Sequence, residues 1–313
     1  MSSEHWQAFL QSGALASCPT TDLGTYDQEL EQGWREFFGS LPDGARALDI
    51  GTGNGPILLI AKRVAEEQGR RLELHGADRA AIDPPRFVKG PVGQYDGIVF
   101  HPCRPTERLT FTAAFFDAVT GQYALEYGPA RESVAEVARV LKPQGLARFV
   151  VHHESSVVVN NAREASQHAL WVLNELRVYR RLEQFLHMER IKSKEVDRAF
   201  SRLEEVGQKM MQALQATPHS HVLRVTLEAV QNFLDIRRRT NPTTLNHQVK
   251  AKQQALESAL VRMQDLLQHA CSLEHVDYLE SCAREFGLEV APRSLQHHGS
   301  NLVGWVLQWR RLA

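Results

Sequence analysis

The 313-residue chain has no apolar run approaching the roughly 20 residues that cross a bilayer. Its N-terminus, MSSEHWQAFLQSG, lacks a basic stretch followed by an apolar one. Neither a membrane span nor a secretory leader is therefore expected, and the cytoplasm is the default location. Cysteine is scarce: Cys18, Cys103, Cys271 and Cys282 are scattered with no CxxC pair, so neither a zinc knuckle nor a disulfide framework is predicted. The four read as reduced packing residues, and no metal site is expected. An excess of one charge is missing too. With 36 Lys and Arg against 37 Asp and Glu the formal net charge is −1, which suggests no polyanionic partner and argues against nucleic acid as a ligand. No internal repeat or low-complexity segment breaks the chain.

What is present falls into three kinds of sequence. Residues 1–43 read as an N-terminal helical segment, in which TTDLGTYDQELEQGWREFFGSLPDG supplies a turn and an amphipathic helix. Over 44–159, short apolar strands alternate with helical periods, the pattern of a parallel sheet covered by helices. RALDI, RLELHGAD, YDGIVF, FFDAVTGQ and GLARFVVHH are the strands. PILLIAKRVAEEQG is a helix closed by Gly69, and ARESVAEVARVLKP is one stopped by Pro143.

Over 160–270 strands vanish and apolar residues recur every three or four positions. Val172, Leu176, Tyr179, Leu182 and Leu186 share one helical face, as do Val196, Phe200, Leu203, Met210 and Leu214. This predicts an insert of three to five helices, placed as a cap over an acceptor pocket, a segment that could also serve as a homodimer contact. Residues 271–313 return to α/β form, with a helix ending at Gly287 and two strands joined across HHGS. The helices thus interrupt one sheet domain made of 44–159 and 271–313.

Gly51, Gly53 and Gly55 stand between a strand and a helix in LDIGTGNGPILL, where side chains would block a ligand from the backbone and the helix N-terminus. A nucleotide-like ligand is expected. The dinucleotide fingerprint GxGxxG would need glycine at 56, but that position is Pro56, which suits a first helical turn and removes a donor for a pyrophosphate. The pattern leans away from NAD.

Residue by residue, Asp49, Gly51, Gly53 and Gly55, with Asn54 between the last two, resemble the DxGxGxG motif of class I S-adenosylmethionine-dependent methyltransferases. Asp78, ending LHGAD, stands where that family has the acid that accepts the ribose hydroxyls. FFDAVTGQYALEY resembles its fourth strand and following loop, and ARVLKPQGLARFVV its helix, turn and fifth strand. The resemblance covers the chain outside the insert. It implies a Rossmann-like, doubly wound, mostly parallel seven-stranded sheet with a reversed C-terminal hairpin, here carrying an all-helical insert. It implies S-adenosylmethionine as the methyl donor, held by Asp49, the three glycines, Asn54 and Asp78. Where the family often places an adenine-binding acid, FHPCRPTERLTF offers His101, Cys103 and Glu107, so the adenine contact is unassigned. Gln144 replaces a glycine of the family's turn, which can use Gly145 for its positive φ.

Methyl transfer from a sulfonium is an in-line displacement for which alignment and exclusion of water can provide most of the rate. Gln122, after the fourth strand, is either a donor contact or a structural hydrogen bond at the strand end. Tyr26, in a segment that small-molecule members of the family fold over the donor, either meets the sulfonium by cation–π attraction or packs. His152 and His153 end the fifth strand and point to opposite faces, so at most one is a general base; Glu126 and Tyr127 are the other candidates. No (D/N)PP(Y/F) motif follows the fourth strand, where TGQY stands instead, which disfavours amino-group methylation of DNA and of some proteins. The insert holds 17 basic against 13 acidic residues between Asn160 and Glu274, mixed along its faces, with IRRRTNP its one local basic cluster. A small or medium-sized, partly apolar acceptor is the leading expectation. An RNA or protein methyltransferase and a donor-binding protein without turnover are the alternatives.

Overall fold

Buried strands bounded by glycine and proline alternate with helices that are apolar on one face, and the chain folds accordingly. The computed structural model describes residues 4–17, 26, 28–191 and 193–313; Cys18 and the turn expected over 20–25 lie outside the described residues. In chain order, α1 (Glu4–Gln11) and α2 (Gln28–Gly39) precede β1 (Arg46–Ile50), α3 (Pro56–Glu67), β2 (Glu73–Ala77), the short α4 (Pro84–Phe87) and β3 (Ile98–His101). Next come β4 (Phe116–Gln122), α5 (Ala130–Val140) and β5 (Leu141–Val151). Helices α6 (Val157–Leu170), α7 (Val178–Arg190), α8 (Val196–Ala216), α9 (His221–Ile236) and α10 (Pro242–His269) follow. The chain closes with α11 (Leu273–Glu285), β6 (Leu288–Val290), β7 (Ser294–His298) and β8 (Asn301–Arg311). It divides into two compact units, Met1–Val159 with His269–Ala313, and Asn160–Gln268.

In the first unit the sheet order is β3-β2-β1-β4-β5-β8-β6, with β7 pairing β8. Strands β1 to β5 run parallel and β8 runs antiparallel to β5, with Phe149 opposite Leu307. One face packs Phe116, Val119, Phe149 and Trp309 against α5 and α11; the other packs Ala47, Ala118 and Val150 against Trp34, Phe38 and Leu58 of α2 and α3. The sheet has eight strands where seven are expected, because Pro292, which has no N–H to give a ladder, separates β6 from β7. Each then pairs with its own half of β8. A second difference is at the β5 turn, where Gln144 itself takes the positive φ of 65°. Gly145 meets a different need, since a Cβ there would stand 2.8 Å from the Lys142 carbonyl.

The second unit contains helices only. The two predicted stripes meet in one core, in which Val172, Tyr179, Leu182 and Phe185 pack with Leu203, Met210, Leu223, Phe233 and Val249. The Phe185 and Phe200 rings lie 5.2 Å apart. Between α6 and α7 a π-helical turn over Trp171–Glu175 bonds the Leu176 N–H to the Trp171 carbonyl at 2.8 Å. Arg177 ends it at φ 50°. Ser220 caps α9, its hydroxyl accepting from the Leu223 N–H. The basic cluster of IRRRTNP is partly internal to this unit, because Arg237 Nε donates to Glu189 Oε2 at 3.0 Å. Among the described residues no helix is long and apolar enough to cross a membrane.

Candidate donor site and active site

After β1 the chain turns through Gly51, Gly53 and Gly55 with φ of 57, 52 and 79°. A left-handed residue bearing a Cβ costs about 1–2 kcal/mol, and at Gly51 that Cβ would stand 2.4 Å from Ala124 Cβ. Pro56 then opens α3 where no N–H is needed. Asp49, buried beneath the loop, accepts from Thr120 Oγ1 at 2.9 Å. Burial raises its carboxyl to about 7, against the lowering effect of the hydrogen bond from Thr120. Asp78 accepts from the Gly53 N–H at 2.9 Å on one oxygen and from the Ala80 N–H at 2.8 Å on the other. Burial pushes this carboxyl up as well. It thus ties β2 to the glycine loop while each oxygen keeps a lone pair for a ligand hydroxyl.

Asn54 serves a neighbour that the motif does not reveal. Its amide nitrogen donates to the carbonyls of Leu10 at 3.0 Å and Ala14 at 2.7 Å, so it fastens α1 to the loop. Gln7 of α1 exchanges hydrogen bonds with the backbone of Ala81 at 2.9 and 2.6 Å, and Leu10 is buried with Ala80 and Ile82. The Trp6 ring meets Tyr127 edge-on at 5.9 Å. Helix α1 therefore runs from the residues after Asp78 towards the end of β4. Tyr26 is buried in the apolar cluster of α2 and the sheet. Among the adenine candidates, Glu107 bonds Arg79 at 2.8 Å and Cys103 is exposed.

The C-terminal ends of β4 and β5 gather the remaining candidates. Gln122 Oε1 accepts from the Trp34 indole N–H at 2.6 Å. Tyr123 takes φ 55°, donates its N–H to the Val150 carbonyl at 2.7 Å and its hydroxyl to the Val303 carbonyl at 3.0 Å. Its ring lies flat against His152, 4.0 Å between centroids and 2° between planes. His152 is buried, and desolvation lowers its imidazole to about 3. At neutral pH it is an uncharged ring and a weak proton acceptor. Its backbone N–H donates to Glu126 Oε1 at 2.9 Å. Glu126 is buried, Oε2 makes no hydrogen bond among the described residues, and burial raises the carboxyl to about 7 against the lowering effect of that backbone bond. Tyr127 stacks on His269 at 4.9 Å.

His153 turns the other way, as strand alternation requires: its ring stacks on Trp305 at 4.5 Å and Nδ1 accepts from the Ser155 N–H at 3.0 Å. Glu126, Tyr127 and His152 are therefore neighbours and His153 is not one of them. Trp34 and the half of α1 that carries Trp6, Gln7 and Leu10 were not legible as site residues, since neither belongs to the glycine motif. The apolar spacing of Trp6, Phe9 and Leu10 was the available signal.

Residues 48–149 match the model of the methyltransferase domain family. That stretch, running from β1 to β5, is similar to a methyltransferase domain. No relative emerges among curated proteins. Similar solved structures include a methyltransferase of Haloferax volcanii in complex with the Trm112 activator, at 21% identity and TM-score 0.35 over 47% of this chain and 60% of that one. A second is an S-adenosylmethionine-dependent methyltransferase from Mesorhizobium loti, at 22% identity and TM-score 0.33 over 41% and 56%. A third, from Methanosarcina mazei, has 12% identity and TM-score 0.41 over 88% and 97%. The chain spans 60% and 56% of the length of the first two. The donor that a methyltransferase domain of this kind implies is S-adenosylmethionine.

Proposed function

We propose that the chain transfers the methyl group of S-adenosylmethionine to a small or medium-sized, partly apolar acceptor. The reading rests on one arrangement: a carboxylate, Asp78, bound to the glycine loop, and near the ends of β4 and β5 a buried carboxyl, Glu126, with one oxygen unpartnered and ionisation near 7. S-adenosylmethionine supplies a methyl group on a sulfonium, open to in-line attack. The Asp78 oxygens suit ribose hydroxyls, and the open glycine backbone leaves room for the rest of the donor. Helix α1, held by Asn54 and Gln7, is the lid of residues 1–43 that keeps water out. Glu126 Oε2 takes the proton from the attacking acceptor, in preference to His152, whose desolvated ring binds a proton too weakly near neutral pH. The backbone of His152 positions the carboxyl for this.

Calorimetry with S-adenosylmethionine, its demethylated product and NAD tests the first half of the reading: heat with the first two and none with NAD is expected, and the converse overturns it. A screen of hydroxyl, thiol and amine acceptors then tests the second. Turnover confined to tRNA or protein would replace the small-molecule reading.

A further inference from the structure

The mechanism leaves His153, Cys271 and Trp305 unused, and all three meet where β5 ends. Val151, opposite Trp305, is the last residue of β5 in the ladder with β8. His152 lies one step past it, and its backbone groups turn elsewhere: the N–H donates to Glu126 Oε1 at 2.9 Å and the carbonyl accepts from the Cys271 N–H at 2.8 Å. The Cys271 carbonyl accepts in turn from the Glu154 N–H at 3.1 Å, so His153 and Cys271 form a parallel bridge. A further tie comes from β8, where the Trp305 indole N–H donates to the same Cys271 carbonyl at 3.2 Å. The Trp305 ring also stacks on His153 with 24° between planes, and the Arg293 guanidinium lies 5.9 Å from its centre. Trp309, on the same strand, is packed in the core and its buried Nε1 has no partner among the described residues. Placing an indole on β8 therefore does not by itself provide a bond for its N–H.

We propose that Trp305 is a positioning residue for Glu126: by holding the Cys271 carbonyl it fixes the residue to which the His152 carbonyl is bonded, and so keeps the His152 N–H aimed at Glu126 Oε1. No bond of the β5–β8 ladder holds the His152 backbone, so its place depends on Cys271. Trp305 touches neither carboxyl oxygen. Its influence is on alignment, and a misplacement of about 1 Å in a reacting group is enough to cost much of a rate. A side chain kept for packing alone would stack on His153 as well without an N–H. The other titratable groups that act with the Glu126 charge, His269 and the Cys271 thiol, stay in place when Trp305 is changed.

This rests on the reading of Glu126 as the base, and the test separates the two. It needs no acceptor: in the full chain, labelled at the glutamate carboxyl carbons, the Glu126 resonance is assigned by its loss in Glu126→Gln and titrated by NMR. The wild-type midpoint is expected near 7. Trp305→Phe keeps a ring on His153 and removes the indole N–H. It should raise the midpoint by about half a pH unit or more, because the His152 N–H bond that lowers this carboxyl is loosened. Hydrogen exchange at the His152 amide should quicken by about tenfold, with the calorimetric affinity for S-adenosylhomocysteine unchanged. With the acceptor that the screen identifies, the pH limb of kcat should move by the same amount as the midpoint. An unchanged midpoint, or unchanged exchange at His152, overturns the inference and leaves Glu126 as the base. A midpoint that moves together with a loss of donor affinity is general loosening and overturns it as well. Full activity in Glu126→Gln removes the base reading, and the inference with it. If Trp305→Phe fails to fold by thermal melting, 3-benzothienylalanine at position 305, shaped like tryptophan with sulfur in place of the N–H, decides by the same readings.

Discussion

The sheet unit and the helical unit each bury an apolar core, but they differ in what their polar residues do. In the sheet unit, besides the buried Ser133, Arg148, Ser156 and Glu280, the buried Asp49, Thr52, Asn54, Thr120, Glu126 and His152 lie on or just after β1, β4 and β5, and Thr52, Asn54, Glu126 and His152 each carry an atom with no hydrogen-bond partner among the described residues. The helical unit buries Ser166, Ser220 and Thr226, of which Ser220 caps a helix. Buried polar atoms without partners cost about 1–3 kcal/mol each. A fold retains them where a ligand satisfies them or where chemistry needs them. Such atoms, on Thr52, Asn54, Glu126 and His152, lie in the first unit, while packing is the main determinant of the second.

Four experiments test that contrast. The largest effect belongs to Glu126→Gln, which should lower kcat by about 10²–10⁴-fold at unchanged donor affinity. Because a base must be deprotonated, wild-type kcat should rise as pH rises through about 7, and this limb should vanish in the variant. A stopped or continuous methylation assay from pH 5.5 to 8.5 reads both.

The matching change in the helical unit is Leu182→Ala. This side chain is fully buried in the helix core, so its truncation should destabilise that unit by about 2–5 kcal/mol in urea unfolding, with the calorimetric donor affinity unchanged. Loss of donor binding along with the helical transition would end the division of labour.

Asp78→Ala comes third. It removes an acceptor for ribose and the bond to the Gly53 N–H, and should weaken donor binding by about 1.5–3 kcal/mol. A variant that binds S-adenosylhomocysteine as tightly as wild type would show that this carboxylate serves the loop alone.

The smallest effect at neutral pH is that of His152→Phe, which preserves a ring against Tyr123. The folded imidazole is lowered to about 3 from an ordinary 6.5, so its neutral form contributes fully above 6.5 and the contribution is lost as pH falls from 6.5 towards 3. The unfolded chain takes the proton first. Wild-type stability should carry this acid-side loss, at most about 1.4 kcal/mol per pH unit, and the variant should lack it when unfolding is compared at pH 7.5 and 5.

The sequence alone determined the parallel sheet, the glycine loop and the periods of helices α6 to α10, because these rest on local rules. Strand and helix periods are set by backbone geometry, and a left-handed turn between β1 and α3 selects glycine wherever it occurs. The break between β6 and β7 was also present in the sequence as Pro292, although its meaning depended on β8 pairing with both halves. Tertiary structure alone decided which candidates meet. His152 and His153 are adjacent in sequence and equal as candidates, yet one is sealed against Tyr123 and the other stacks on Trp305. The Glu126 carboxyl is raised to about 7 only through burial, which residues far apart in the chain provide. The direction of the Gln122 amide is set by Trp34, 88 positions earlier, whose N–H can only donate. Such facts are relations between distant side chains and solvent, and no local pattern of residue types encodes them.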